Sequence, residues 1–379
     1  MATGGLAMTL EEDVRATVGD LAAGAPMAVG LADAARRQGR KIRRRRRAGV
    51  AGATLALIAV AFTPYVLWKD DKAPPVPVSP TPTPTATTTA VRQTTAAKNW
   101  AKAPLKLPGG AIVTAVTRND VGRDRKAGRT LQTGNVVLDR STGQYVALKN
   151  DYYTVWGAPA RNRGVVSDGA SGLGLIRADG SIKWVRIGYT LDPQWSPDGT
   201  RLLASTLTGY TVFDAATGKA SRHTVPEAMA ACPDNCFFTW LPDGKSIALA
   251  RRDLTVTQSE DKADMVAEVA VFDVATARQV RTLPVPGVPV SGNAWSPDGR
   301  RVLLETTELG GGPGRRVADT TTGKIIKQIP ESNARFLPSG QILGLTDKRA
   351  TLYDANGTVV EVMTLPRDFR ERTVSAGLP

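Results

Sequence analysis

The two cysteines and the single histidine are the residues of this chain whose types most readily support chemistry. They are Cys232, Cys236 and His223 in a chain of 379 residues. Three such side chains cannot complete a four-ligand zinc site unless carboxylates from elsewhere join them. The CxxxC spacing also differs from the CxxC of redox enzymes. We therefore predict a structural disulfide between Cys232 and Cys236, with a free redox pair as the alternative.

Turn aspartates and a glycine-rich run are the other features that could bind a ligand. Loop carboxylates could together hold calcium, although the local backbone offers each of them nearer hydrogen-bond donors. The run 310–314 is rich in glycine but lacks the Lys-Ser/Thr of a P-loop. No Gly-x-Ser-x-Gly nucleophile elbow occurs in the sequence. We predict no catalytic residue, no cofactor and no resident metal, with a calcium site as the open alternative.

A five-residue turn that follows an aromatic residue recurs along the second half of the chain. Its copies are Trp195-Ser-Pro-Asp-Gly, Trp240-Leu-Pro-Asp-Gly and Trp295-Ser-Pro-Asp-Gly, with a variant from Phe336 to Gly340. Proline presets φ and glycine supplies a positive φ, so the chain reverses between two strands. The residues that define these turns are Asp198, Gly199, Asp243, Gly244, Asp298 and Gly299. We expect the recurring tryptophans to pack in the core, with stacking on a ligand as the alternative.

A second turn signal, Asp-x-x-Thr-Gly or a degraded form of it, gives the number of repeats. Its aspartates lie at positions 139, 179, 214, 273, 319 and 354, so the spacing averages about 43 residues. That is the period of a four-stranded propeller blade. The pattern predicts an all-β fold over 108–379, a six-bladed β-propeller with seven blades as the alternative. A C-terminal strand near 369–374 is expected to join the first blade and close the ring.

These repeats resemble the WD40-like and TolB-type propeller repeats of bacterial proteins over about 270 residues. The Trp-Ser-Pro-Asp-Gly turns carry the resemblance, while the Gly-His and Trp-Asp pairs of eukaryotic WD40 repeats are missing. The resemblance implies the propeller fold. It leaves function open, because propellers include binding scaffolds, lactonases and peptidase-associated domains.

A basic block followed by an uncharged segment predicts one membrane span. Nine of the residues in 36–47 are Lys or Arg, and 48–68 contains no charged residue. About 21 residues is the length that a helix needs to cross the hydrocarbon core. Basic residues stay on the cytoplasmic side, so the N-terminus is predicted inside and 108–379 outside. The residues that set this topology are Arg43, Arg44, Arg45, Arg46 and Arg47. A cleaved signal peptide is the alternative.

The charge distribution argues against nucleic-acid binding. Residues 1–47 and 69–108 together contribute +9 of the formal net charge of +14, which leaves about +5 over 109–379. A nucleic-acid site needs a dense cationic surface on a folded domain. Proline in 73–84 and threonine up to 95 predict that 69–107 is an extended linker rich in polyproline II structure.

The predicted organisation is a cytoplasmic tail (1–47), a span (48–68), a linker (69–107) and a propeller (108–379). This layout is similar to that of membrane proteins from high-GC Gram-positive bacteria, the actinobacterial type. We predict a non-enzymatic module anchored in the cytoplasmic membrane that binds an extracytoplasmic protein, peptide or cell-wall ligand. In the alternative, the propeller is a sensor and residues 8–35 contact a cytoplasmic regulator such as a sigma factor. The third possibility is a lactonase-like hydrolase.

The topology can be tested with reporter fusions in the native host. Fusions placed after Lys98 should be active outside the membrane, and fusions placed before Arg36 should be active inside. Neutral replacements of Arg43 to Arg47 should loosen this orientation, because they remove most of the basic residues next to the span. If topology is unchanged in that variant, other features set it.

Overall fold

The computed structural model describes residues 90–118, 130–131, 134–150, 152–159, 164–168, 172–186, 191–233, 237–257, 264–305 and 314–379. The predicted tail with Arg43 to Arg47, the predicted span and Cys236 lie outside these residues. Within the described part of the chain, no helix combines the length and the hydrophobicity that crossing a membrane requires.

The described residues fold almost entirely into short strands. In chain order they are β1 Arg92–Thr95, β2 Ile112–Arg118, β3 Val136–Asp139, β4 Gln144–Ala147, β5 Thr154–Gly157, β6 Gly164–Ser167, β7 Gly172–Ile176, β8 Ile182–Arg186, β9 Leu191–Trp195, β10 Arg201–Thr206, β11 Gly209–Asp214, β12 Ala220–Thr224, β13 Thr239–Trp240, β14 Ser246–Arg252, β15 Val266–Asp273, β16 Gln279–Leu283, β17 Arg301–Glu305, β18 Arg315–Asp319, β19 Ile325–Ile329, β20 Asn333–Phe336, β21 Ile342–Leu345, β22 Arg349–Tyr353, β23 Val359–Thr364 and β24 Arg372–Gly377. One short α-helix, α1 (Pro226–Ala230), follows β12, and the described residues also form 3-10 turns at Trp100–Lys102, Pro108–Gly110 and Arg367–Phe369.

The strands form six sheets, which are the six blades of a β-propeller. From the innermost strand outward, the blades are β24-β2-β3-β4, β5 to β8, β9 to β12, β13 to β16, β17 to β19, and β20 to β23 with β1. In blade 5, isolated bridges from Pro289 to Leu304 and from Trp295 to Val302 take the place of an innermost strand. The six-bladed prediction is therefore confirmed, and the seven-bladed alternative is wrong.

The six aspartates used to count repeats lie at one equivalent position, the turn between the third and fourth strands of a blade. Each carboxylate accepts a hydrogen bond from the backbone N–H two residues further on, at 2.8 to 3.1 Å. This Asx turn satisfies a donor that the reversing chain leaves without a strand partner. The residues are Asp139, Asp179, Asp214, Asp273, Asp319 and Asp354.

The strands of a blade are buried on both faces because each blade lies between two others. In β10, both Leu202 and Leu203 are almost fully buried. Leu202 packs with Leu175 of blade 2, whereas Leu203 packs with Leu249 of blade 4. A strand in this position is apolar along its length and does not alternate with polar residues, as strands with two covered faces do.

The ring is closed by the last strand, which supplies the innermost strand of the first blade. β24 pairs antiparallel with β2, from Ile112 opposite Gly377 to Arg118 opposite Arg372. The C-terminal strand is thus present, although it spans Arg372–Gly377 and not the expected 369–374. From the other side, Asn333 Nδ2 of blade 6 donates to Val374 O at 3.0 Å. Pairing removes the open edge that an incomplete blade would expose.

The segment before residue 108 belongs to the propeller, which differs from its assignment to the linker. β1 adds to the outer edge of blade 6, parallel to β23. Trp100 is only 3% exposed and packs edge-on against Tyr145 and Phe369, at 5.1 and 4.9 Å between ring centroids. Its Nε1 donates to Asp368 Oδ2 at 3.0 Å. The part of the chain that packs with the propeller therefore begins no later than β1.

Replacing Trp100 with alanine tests whether this segment is structural. We expect W100A to lower the free energy of unfolding by about 3–5 kcal/mol, as other buried Trp or Phe truncations do. The matched control is W184A, because Trp184 is a tryptophan on β8 that is 45% exposed. Its loss should be about 1 kcal/mol or less. Equal losses in urea denaturation of the two variants would contradict the assignment.

Candidate binding cavity on the turn face

One end of the propeller carries both kinds of repeated turn. In an antiparallel four-stranded blade, the connection from the first to the second strand and that from the third to the fourth lie at the same end. The x-Pro-Asp-Gly turns and the Asp-x-x-Thr-Gly turns therefore share one face, which we call the turn face. Here the turns of adjacent blades touch: Lys183 Nζ donates to Thr217 O at 2.5 Å, and Arg201 donates to Gly244 O.

A cavity of about 220 Å³ opens on this face, where the inner strands of the blades converge. Every blade contributes to it, so only the closed ring creates it. Its lining residues, from blade 1 to blade 6, are Ala111, Ala376, Gly377 and Leu378; Pro159; Pro197; Trp240 and Pro242; Asn293, Trp295 and Pro297; and Arg335, Phe336, Leu337 and Pro338.

Prolines and aromatic rings form most of the wall. Blades 2 to 6 each present one proline from the turn or loop that follows the innermost strand. Trp240, Trp295 and Phe336 end the innermost segments of blades 4, 5 and 6. Such a wall is apolar, rigid and low in side-chain entropy, which suits the apolar part of a small ligand.

The tryptophans also hold neighbouring blades together, as the prediction of core packing implies. Trp240 Nε1 donates to Gln194 O at 3.2 Å, and Trp295 Nε1 donates to Thr239 Oγ1 at 3.1 Å. Both rings are only 4% exposed, so each contributes a small part of its surface to the cavity. Trp195, the equivalent residue of blade 3, is half-buried and does not line the cavity.

The turn residues fix the shape of the rim. Gly199, Gly244 and Gly299 have φ values of +66°, +61° and +69°, which glycine adopts without steric cost. Asp298 Oδ1 accepts from Ser296 Oγ at 2.6 Å and from Arg300 N at 3.0 Å. These hydrogen bonds hold the prolines that precede the aspartates against the cavity.

Hydrogen bonding also lowers the pKa of the three turn carboxylates. For Asp298, the bonds from Ser296 and from the Arg300 backbone dominate. For Asp198 and Asp243, partial burial acts to raise the pKa, and hydrogen bonds from neighbouring hydroxyl and backbone groups outweigh it. The net pKa of each lies below its ordinary value, so all three are ionised near neutral pH.

Arg335 is the one charged residue of the lining. Its Nη1 donates to Ala376 O at 2.7 Å, and its Nη2 donates to Asn333 Oδ1 at 3.1 Å. The buried Nε has no hydrogen-bond partner within the described part of the chain. No carboxylate of the described residues lies within ion-pair distance of it. Burial lowers the pKa of the guanidinium to about 10, so it remains protonated at neutral pH.

Arg140 supports the opposite side of the rim, between blades 1 and 2. Its Nη2 donates to Pro159 O at 3.0 Å and to Leu378 O at 2.5 Å. Both of these acceptors belong to residues that line the cavity. Burial lowers the pKa of this guanidinium as well. Arg140 therefore positions the wall and does not face the cavity itself.

The residues singled out first in the sequence lie away from this cavity. His223 is on β12, the outer strand of blade 3, and stacks on Tyr210 at 4.8 Å between ring centroids. Cys232 lies just after α1 on the connection between blades 3 and 4 and is disulfide-bonded. Its predicted partner, Cys236, lies outside the described residues, so the pairing stays a prediction. Among the described residues, no group of three His, Cys, Asp or Glu side chains is placed to hold a metal.

Arg335 and Asn293 are the polar lining residues that sequence reasoning missed. The only signal for Arg335 was a charged residue inside the short strand Asn333–Phe336, whose alternate residues are buried. Nothing in the sequence placed Asn293 next to it.

Comparisons with known proteins found similarities in structure at low sequence identity. No protein-family model and no curated protein matches the chain. Among solved structures, hydrazine synthase of Kuenenia stuttgartiensis is similar at 16% identity and a TM-score of 0.35, over 57% of this chain and 66% of that chain, just under two thirds of its length. A structure titled as a complex of KlAtg21 with the coiled-coil of AgAtg16 is similar at 13% identity and a TM-score of 0.41, over 62% of this chain and 78% of that chain. Neither similarity carries information about a ligand or a reaction.

Acid should weaken the rim before it denatures the rest of the protein. A carboxylate whose pKa is lower in the folded state stabilises the fold above its unfolded pKa of about 3.9, and this contribution is lost as the pH falls through the folded pKa. Replacing Asp198, Asp243 and Asp298 together with Asn keeps an acceptor oxygen but removes the titration. We expect Tm to fall less steeply in this variant than in the wild type between about pH 5 and pH 2. An identical acid profile of Tm would contradict the role of these carboxylates.

Proposed function

We propose that the chain is a non-enzymatic binding module that holds its propeller outside the membrane and takes its ligand in the cavity of the turn face. The observation that carries this proposal is that all six blades line one small apolar cavity. Ligand sites are typically concave and mostly apolar, with a few polar groups that fix orientation. The cavity has this composition, with Arg335 and Asn293 as its polar groups.

The lining favours binding over hydrolysis. A lactonase-like hydrolase would need several acidic side chains that converge on the central channel. The cavity residues, all of them within the described part of the chain, include a guanidinium and no carboxylate. A protein, peptide or wall fragment with an apolar end fits this wall better than a metal-bound substrate does.

The proposal of a membrane anchor rests on the sequence alone. The basic block at 36–47 and the uncharged segment at 48–68 support an N-inside orientation. An extended linker would then present the propeller to ligands away from the bilayer surface.

Site-specific photo-crosslinking in the native envelope tests the proposed site. A photoreactive residue replaces Asn293, which lines the cavity, or Ser221, which is exposed on the outer strand β12. We expect the full-length chain to form a discrete adduct from position 293 and none from position 221. Adducts at both positions, or at 221 alone, would place the ligand elsewhere on the propeller. No adduct at 293 would count against the cavity as the binding site.

A further inference from the structure

Arg335 is a half-buried cation for which the described residues provide no counter-ion. A guanidinium has five N–H donors, and Arg335 uses two of them, on Ala376 O and Asn333 Oδ1. Nε is buried without an acceptor. An uncompensated charge and an unsatisfied donor both cost free energy when they are buried. A ligand in the cavity that places an anion beside the guanidinium would compensate its charge.

The position of Arg335 is fixed by the closure of the ring. It lies on β20, the innermost strand of blade 6, and its Nη1 bond reaches Ala376 on β24, the innermost strand of blade 1. Asn333 accepts a hydrogen bond from Arg335 and donates one to Val374, which also lies on β24. The guanidinium is thus held between two strands and is pre-organised for a ligand that enters from the turn face.

We infer that the cavity binds a carboxylate attached to a small apolar group, such as the C-terminal residue of a peptide, through an ion pair with Arg335. This inference rests on the proposed function and specifies the ligand class. The apolar group would lie against Trp240, Trp295 and Phe336, and the carboxylate would accept hydrogen bonds from the remaining N–H groups of Nη1 and Nη2 of Arg335.

The cavity favours a carboxylate over other anions. It is lined by one cationic side chain, which matches the single charge of a carboxylate. A polyanion such as a nucleic acid needs several cations along a groove. A volume of about 220 Å³ lies below the range of about 300–1,000 Å³ that is usual for drug-sized ligands, so the cavity suits a group of amino-acid size.

The charge preference can be measured with paired probes. The full-length chain in detergent is titrated with N-acetyl-phenylalanine and with its amide, which share one apolar body and differ in charge. We expect the acid to bind at least about tenfold more tightly, as expected for a hydrogen bond to a charged group. Ligand-observed NMR reports the two affinities. A short peptide that ends in phenylalanine, with a free or an amidated C-terminus, then distinguishes a peptide ligand from a free small acid.

Variants test whether the preference for the acid over the amide depends on Arg335. R335Q should bind acid and amide equally, and R335K should keep part of the preference, because it retains the charge without the planar fork. The control is R222Q, which makes the same change at an exposed position on the outer strand β12 and should leave the preference intact. Thermal melts accompany each variant, since R335Q also removes a contact between β20 and β24.

The wild-type comparison decides the inference even if R335Q fails to fold. Equal affinity for acid and amide, or no binding of either at millimolar concentration, overturns the carboxylate inference. A preference that survives in a folded R335Q places the anion site elsewhere and overturns it too. None of these outcomes affects the crosslinking result at position 293, so the failure of the ligand class can be told from the failure of the binding site.

Discussion

The antiparallel pairing of β24 with β2 is the contact on which the rest of the structure depends. These strands are more than 250 residues apart in the chain, and their pairing completes blade 1 and brings blade 6 against it. Without it, blade 1 would lack its innermost strand and both ends of the blade array would expose apolar faces. Cyclic closure therefore replaces the capping that an open repeat protein would need.

The same closure creates the cavity. The residues of blade 1 that line it include Ala376 and Gly377 from β24, while Arg335 comes from blade 6. These residues meet only because the first and last blades touch. A site built from all six blades is rigid, because each lining residue belongs to a blade packed on both sides. Rigidity lowers the entropy lost on binding, which favours a binding role for a small cavity.

The segment at 92–107 contacts both blade 1 and the C-terminal part of the chain. Trp100 fills a space between Tyr145 of blade 1 and Phe369, which precedes β24. β1 covers the outer edge of blade 6 and so protects one of the edges that the ring leaves open. The first described strand of the chain is thus held on blade 6.

The number and the order of the blades followed from the sequence, because local chemistry determines the turns. Asp-x-x-Thr-Gly and x-Pro-Asp-Gly bond to their own backbone and need no distant partner, so they could be counted directly from the residues. Asp179, whose motif is degraded, still forms the same turn as Asp139 and Asp319.

Tertiary structure alone decided where the ends of the chain pair and which residues meet at the axis. The expected closing strand began three residues too early, and the segment around Trp100 was assigned to a linker. In both cases the deciding partner lies more than 240 residues away, so no local pattern marks it. Arg335 looks like any charged strand residue until β24 is placed beside it. That no carboxylate of the described residues pairs with it depends on the packing of six blades around one axis, which the order of the residues does not express.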